Sequence, residues 1–525
     1  MSSPAAPSVA ELLHLQRQNR RTVLFLGGLG AVAAAVGVAL IAPGGHVSIL
    51  IAVLIIVLLP SAIWRWPQAI PIILLLIACL IEQFPALPGG AFTNSIRLFT
   101  SLQDGMGIPH VAINPLELLL VLFAVVYLLK VVPGRRLVMP RSPITYAVLV
   151  MLVIALVATG YGLLSGGSST FALWELRPWV YLTAAYFFGA LVVTDAPMRR
   201  AMLWAFVIGT GIKGLQGTVN FFGTLNAVVR PEAILAHEEA FFFGVYAALV
   251  AALWAFGEKG RLRFWATLFL PTVLLADIAN HRRAAWLIIG AALILLAVVA
   301  WLRTGARRPL ITKVVLVVLC VGAAYTAAFW NGGGNLAQPA RAVRSIVAPD
   351  ARDTGSNQYR ALEDINLELN IRQSFPIGKG FGVPINYSVP IIDISSTDAL
   401  IKYVTHDGVL YVWMRMGLQG MVAFWFLIGA AIISAARVAR HGDRAAALVA
   451  FLVMAVLVGY VLEGLYDYGL FWFRMALFVG LWLGTLEGLR PALATVPARA
   501  VASYRPRRPR LSTGLGLART ARAKQ

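Results

Sequence analysis

The sequence predicts an all-α polytopic membrane protein of about 12–14 transmembrane helices, with one long external loop carrying short helices. Three observations predict it. Of 525 residues, 59% are hydrophobic and only 13% charged, too little polar surface to clothe a water-soluble protein of this size. Apolar runs of about 20 residues, enough to span a hydrocarbon core at about 1.5 Å per residue, recur along most of the chain. The basic residues fall mainly in short connections between those runs, as the positive-inside rule requires.

The apolar runs lie near 23–42, 47–63, 69–83, 115–132, 143–163, 179–194, 201–222 and 241–256, then near 264–279, 284–302, 311–330, 417–437, 445–465 and 473–489. Arg17, Arg20 and Arg21 precede the first run and place the N-terminus inside; that run is too long for the apolar region of a cleaved signal peptide. Arg65, then Lys130, Arg135, Arg136 and Arg141, then Arg199 and Arg200 mark further inside connections. Lys259, Arg261 and Arg263, then Arg303, Arg307 and Arg308, then Arg437, Arg440 and Arg444 continue the series. The basic stretch 490–525 puts the C-terminus on the same side, as an anchor against anionic lipid. This arrangement accounts for the formal charge of +21 without nucleic acid, since no recognition fold interrupts the spans. Cys79 and Cys320, the only cysteines, lie inside apolar runs, which argues against a disulfide framework.

Four regions follow: a bundle over 1–330, an external loop over 331–416 with the helix that closes it, further spans over 417–489, and the basic tail. A loop of that length inside a helical bundle is usually functional.

With the inside arginines explained by topology, Arg97, Arg177, Arg230, Arg282, Arg283, Arg341, Arg344, Arg352, Arg360, Arg372 and Arg474 remain on the outer side. Each is either a solvated or acid-paired loop charge, with Asp350, Asp353, Glu363, Asp364 and Glu368 as candidate partners, or part of an anion site. A guanidinium forks onto phosphate oxygens and stays charged at all working pH values. Arg177, in WELRPWVYL, and Arg283, in HRRAAWLII, abut spans, where a charge is costly unless paired or wet. At the end of the long loop, THDGVLYVWMRMGLQG (405–420) places Thr405 as a helix cap, with His406 and Asp407 in the first turn. His406 is then either a surface cap residue or a base. Glu463 and Asp467, in EGLYDYGLFWFR, either pair with Arg474 or line an acceptor site, and His237, Glu238 and Glu239 occupy a matching outer position.

Together these motifs resemble the O-antigen ligase and polymerase family. HRRAAWL (281–287) is similar to the family's span-opening Ser-Arg-Gly, with Arg283 at the Arg position; QYRALEDI (358–365) and FPIGKGFG (375–382) resemble its loop Arg and its Pro-x-x-Gly-x-Gly turn. His406, Leu410, Gly417, Leu418 and Gly420 match the close of the loop, with Asp407 in place of Asn and Arg282 in place of Ser. The likeness is best over roughly 260–440, with Glu175 and Arg177 in support upstream. It implies a GT-C-like arrangement in the bacterial cytoplasmic membrane, with the active site on the outer face. It also implies transfer of a glycan from undecaprenyl pyrophosphate to an acceptor hydroxyl, by an inverting route without metal or cofactor. On that reading His406 is catalytic, and Arg177, Arg282, Arg283 and Arg360 bind the pyrophosphate. Glu175, Asp407, Gly417, Gly420 and Asp467 support the acceptor side, the glycines allowing close backbone approach where the polyprenyl chain passes. A transporter or flippase of lipid-linked oligosaccharide is the competing class. It asks for polar groups at mid-membrane, where Lys213 is the main example.

Overall fold

The computed structural model describes residues 59–60, 62–84, 93, 96–106, 112–130, 139–225, 233–304, 308–332, 334–392 and 399–489. The spans read at 23–42 and over most of 47–63, Arg230 and the tail from Arg490 lie outside these residues. The described chain is helical, without strands among the described residues, and six of its helices are long and apolar enough to cross a membrane. It is an all-α polytopic membrane protein.

The helices run α1 (Ile70–Leu80), α2 (Leu102–Met106), α3 (Pro115–Lys130), α4 (Pro143–Leu164), α5 (Ser169–Val192), α6 (Ala196–Gly223), α7 (Glu239–Ala255) and α8 (Arg261–Asn280). They continue with α9 (Arg283–Arg303), α10 (Arg308–Ala328), α11 (Gln338–Val347), α12 (Ala351–Ser374), α13 (Gly408–His441), α14 (Arg444–Tyr466) and α15 (Phe473–Glu487). Side chains cap several of them: Ser142 accepts from Thr145 N, Asp195 from Met198 N and Asp443 from Ala446 N, each meeting an amide that the first turn leaves open.

The innermost helix is α15, with every residue from Phe473 to Glu487 buried. It lies against α5 at backbone contact, because a Cβ on Gly480 or Gly484 would run into the carbonyls of Leu182 and Tyr186. Small residues four apart allow this approach, the main source of helix attraction where lipid is as apolar as leucine. At the rim, α10 has no buried residue, and Val150, Val153, Val157 and Leu164 of α4 face outward, as lipid-facing positions do. At one end of the bundle Arg303 donates to the carbonyls of Ala439 and Gly442 at 2.6 and 2.9 Å, closing the C-terminal end of α13.

Two helices begin earlier than their apolar runs predict. α5 starts at Ser169, ten residues before the run at 179, and carries Glu175, Arg177 and Pro178 within it; the two charges read as a boundary, but each is neutralised by a residue from elsewhere. α13 starts at Gly408, nine residues before the run at 417, and buries Arg415. Its N-cap is Asp407, whose side chain accepts from Leu410 N at 2.8 Å, so His406 precedes the helix. The Thr405 cap is corrected by two residues: Asp407 supplies the charged acceptor, while Thr405 hydroxyl makes only a long 3.4 Å bond to Asp407 O.

The loop after α12 docks into a kink in α13. Lys379 N donates to Met414 O at 2.7 Å, Gly380 N to Arg415 O at 3.0 Å and Leu418 N to Pro376 O at 2.9 Å. The kink sits at Gly417, with φ 69° and ψ −169°, a region essentially confined to glycine. A Cβ there would also collide with the carbonyls of Pro376 and Ile377. The close approach at Gly417 is therefore between loop and helix. Gly417→Ala is expected to lower stability by at least about 1–3 kcal/mol, seen as a lower Tm of the detergent-solubilised protein by thermal unfolding. A Tm equal to wild type overturns this account of the kink.

Candidate active site

Opposite the Arg303 end of α9, its N-terminus opens into a cavity of about 560 Å³ walled by the α8–α9 junction, α11, α12 and the end of α14. The junction contributes His281, Arg282 and Arg283, α11 contributes Gln338 and Arg341, α12 contributes Asp353 and Arg360, and α14 ends there with Glu463 and Asp467. Ala284, Leu287 and Ile346 form an apolar part of the same wall. The junction is sharp because His281 takes a left-handed conformation, φ 56°, ψ 28°, which turns the following arginines to the head of α9.

The four arginines have unequal surroundings. Arg283 pairs with Asp353 at 3.1 Å, and Arg341 with Asp350 at 3.3 Å. Arg282, buried so that its guanidinium is held below the usual arginine range, donates to His237 Nε2. Arg360 is half-buried and forms no ion pair among the described residues. Burial, with Arg341 and Arg282 adding to it, also pushes His281 below the usual imidazole range. The uncharged ring then accepts from Gln338 Nε2 at 2.7 Å. An aqueous wall this rich in guanidinium groups suits a multiply charged anion.

His406 stands beside this cavity. Its ring lies over Tyr468 at 4.6 Å and edge-on to Tyr359 at 5.8 Å, the chain neighbours of the wall residues Asp467 and Arg360. Glu363, fully buried on α12, accepts from both His406 N at 3.0 Å and His406 Nδ1 at 2.9 Å. That holds the proton on Nδ1 and leaves the Nε2 lone pair without a partner among the described residues. With its side chain 20% exposed, the imidazole is open to an incoming hydroxyl. Glu363 reads in the sequence as one of several acids able to balance a loop arginine; its pairing with His406 joins residues 43 positions apart, which local spacing does not carry.

A second acid of α12 faces the same loop. Asp364 is pushed up to about 6 by burial, then by the carboxylates of Asp407 and Glu363; burial also raises Asp407. An acid raised in the folded state is costly when ionised, so stability falls as pH rises from about 4 to about 6 and the cost persists above that. Asp364→Asn is expected to raise Tm at pH 7.5 and to leave it unchanged near pH 4 in thermal unfolding. An equal shift at both pH values removes ionisation as the cause.

The remaining expected site residues sit elsewhere. Arg177 is largely buried, pairs with Glu117 at 2.8 Å and donates to Ala112 O, outside the cavity walls. Glu175 is fully buried in a pair with Arg415, Nε to Oε1 2.9 Å, and accepts from Tyr411 OH and Gly382 N. Arg415 in turn donates to the carbonyls of Gly380, at 3.1 Å, and of Val383 and Tyr403. Glu175, Gly417 and the 375–383 loop thus form one lock behind the site. Asp407 caps α13, and Gly420 packs against Met416 of the same helix. Arg474 binds Glu238 and Glu239 at 2.9 and 2.6 Å rather than Glu463 or Asp467, and Lys213 binds Glu82.

The helical bundle thus sets an arginine-walled cavity at one end, beside a carboxylate-held imidazole. Residues 268–425, under a third of the chain, match the family model described as O-antigen ligase. The matched stretch runs from α8 into α13 and includes Arg282, Arg283, Arg360, Glu363 and His406. The likeness is confined to that stretch and agrees there with the resemblance carried by the sequence motifs. Comparison with curated proteins finds no match.

Proposed function

We propose that the protein transfers a glycan from a polyprenyl diphosphate to an acceptor hydroxyl on the outer side of the cytoplasmic membrane. The observation that carries this reading is the pairing of the arginine wall with the Glu363–His406 dyad. Arg282, Arg283 and Arg360 hold the diphosphate, and His406 Nε2 receives the proton of the acceptor hydroxyl. The acceptor oxygen bonds to the sugar C1 as the C1–O bond to phosphate breaks. The electron pair leaves with the polyprenyl diphosphate. In-line attack inverts the anomeric centre. Developing negative charge on the leaving group meets guanidinium groups already in position, so no reorganisation and no metal is required by this scheme. The apolar wall at Leu287 and Ile346 suits the first units of the lipid tail.

The transporter reading relied on a polar mid-membrane residue, Lys213. With both side chains buried and paired, Lys213 and Glu82 make a structural bridge rather than an open ion path. The two readings separate in one assay: purified protein in lipid nanodiscs with a polyprenyl-diphosphate glycan and an acceptor. The transferase releases free polyprenyl diphosphate in step with glycan transfer. Donor binding without that release sinks the proposal.

A further inference from the structure

Arg282 differs from the other cavity arginines in what holds it. Like Arg360 it has no carboxylate partner among the described residues, but it donates to His237 Nε2, and its own Nε is buried without a partner among those residues. His237 Nδ1 faces Asp467 Oδ2 at 3.2 Å. The three residues come from the segment before α7, the α8–α9 junction and the end of α14. A guanidinium only donates, so Nε2 must carry a lone pair and the ring proton must sit on Nδ1, directed at Asp467. The other oxygen of Asp467 accepts from Tyr468 N at 2.8 Å, and Tyr468 is the ring under His406. One carboxylate therefore ties both halves of the site.

We infer that His237 is a positioning residue: as a neutral imidazole oriented by Asp467, it holds the Arg282 guanidinium against the cavity, and Arg282 grips the donor diphosphate only in that state. This rests on the diphosphate reading given above. Protonated, His237 would turn an N–H toward a permanent cation while its other N–H stays on Asp467, and the contact with Arg282 breaks. The charged groups around that contact are Asp467 and Glu463 from α14, Arg360 from α12 and Glu238 beside His237. Glu238 is itself occupied by Arg474 of α15, and His406 lies across Asp467. Donor affinity should accordingly weaken once His237 is protonated.

The test uses the full chain in nanodiscs and a polyprenyl-diphosphate glycan, a diester whose phosphates carry no titrating proton in this range. Donor binding is measured without acceptor at about pH 8 and about pH 6. Wild type should weaken several-fold at the lower pH. His237→Ala should bind about tenfold more weakly at pH 8. In His237→Gln the amide oxygen still accepts from Arg282 but does not titrate, so binding should stay near wild type at pH 8 and remain flat at pH 6. Wild-type affinity in His237→Ala, or an acid loss retained in His237→Gln, overturns the role of His237 while the diphosphate reading stands. Wild type that fails to bind the donor at either pH overturns both.

Discussion

His406→Ala should lose glycan transfer by about 10²- to 10⁴-fold while binding the lipid-linked donor as wild type does. The split follows from geometry. His406 stands beside the arginine wall, held by Glu363 at Nδ1 with its ring tilted over Tyr468, and touches none of the ion pairs that build the cavity. Removing it takes away proton acceptance from the acceptor and leaves the diphosphate contacts in place. Glu363→Gln should fall in the same direction by at least about tenfold, because a neutral amide no longer fixes the ring proton on Nδ1 or stabilises the imidazolium that forms during transfer. The measurement is initial-rate transfer with saturating donor, together with donor binding in the absence of acceptor. Equal loss of binding and rate would assign His406 to the donor pocket instead. Unchanged rate would remove it from the chemistry.

Arg360→Ala should reduce the transfer rate by about 10²- to 10³-fold. Arg360 is the informative arginine because it forms no ion pair among the described residues, and the Asp364 carboxyl that its charge lowers is only half-buried. Arg283→Ala would instead leave Asp353 unanswered. The thermal stability of Arg360→Ala should stay near wild type, and Arg360→Lys should recover only part of the rate, since a point charge does not bridge two phosphate oxygens as the fork does. A rate unchanged in the Ala variant, with normal membrane insertion, would shift the site of charge stabilisation elsewhere.

Much of this architecture was legible in order and length. The apolar runs foreshadow α1, α3, α4, α6 to α10, α14 and α15 closely, because hydrocarbon imposes one length and one chemistry on any crossing segment. The sequence also singled out arginines that the positive-inside pattern leaves over, and an imidazole where the long loop returns to the bundle. What stayed hidden was which charge meets which. Glu175 and Arg177 sit two residues apart in one helix, yet one meets Arg415 of α13 and the other Glu117 of α3. The helix starts at Ser169 and Gly408 were missed for the same reason, since a charge reads as a boundary until its distant partner is known. Likewise Glu363 and His237 gain their roles only from neighbours 43 and 45 or more positions away.

The Glu175–Arg415 bridge bears on how such chains are recombined. Glu175 lies outside the matched stretch 268–425 and Arg415 inside it. A chimera that grafts only this stretch onto a host lacking an acid at the matching place would carry a desolvated cation with no counterion, a penalty on the order of 3–5 kcal/mol. Swaps between relatives should therefore move α5, which supplies that acid, together with the matched segment, or fail at insertion before any activity is read out.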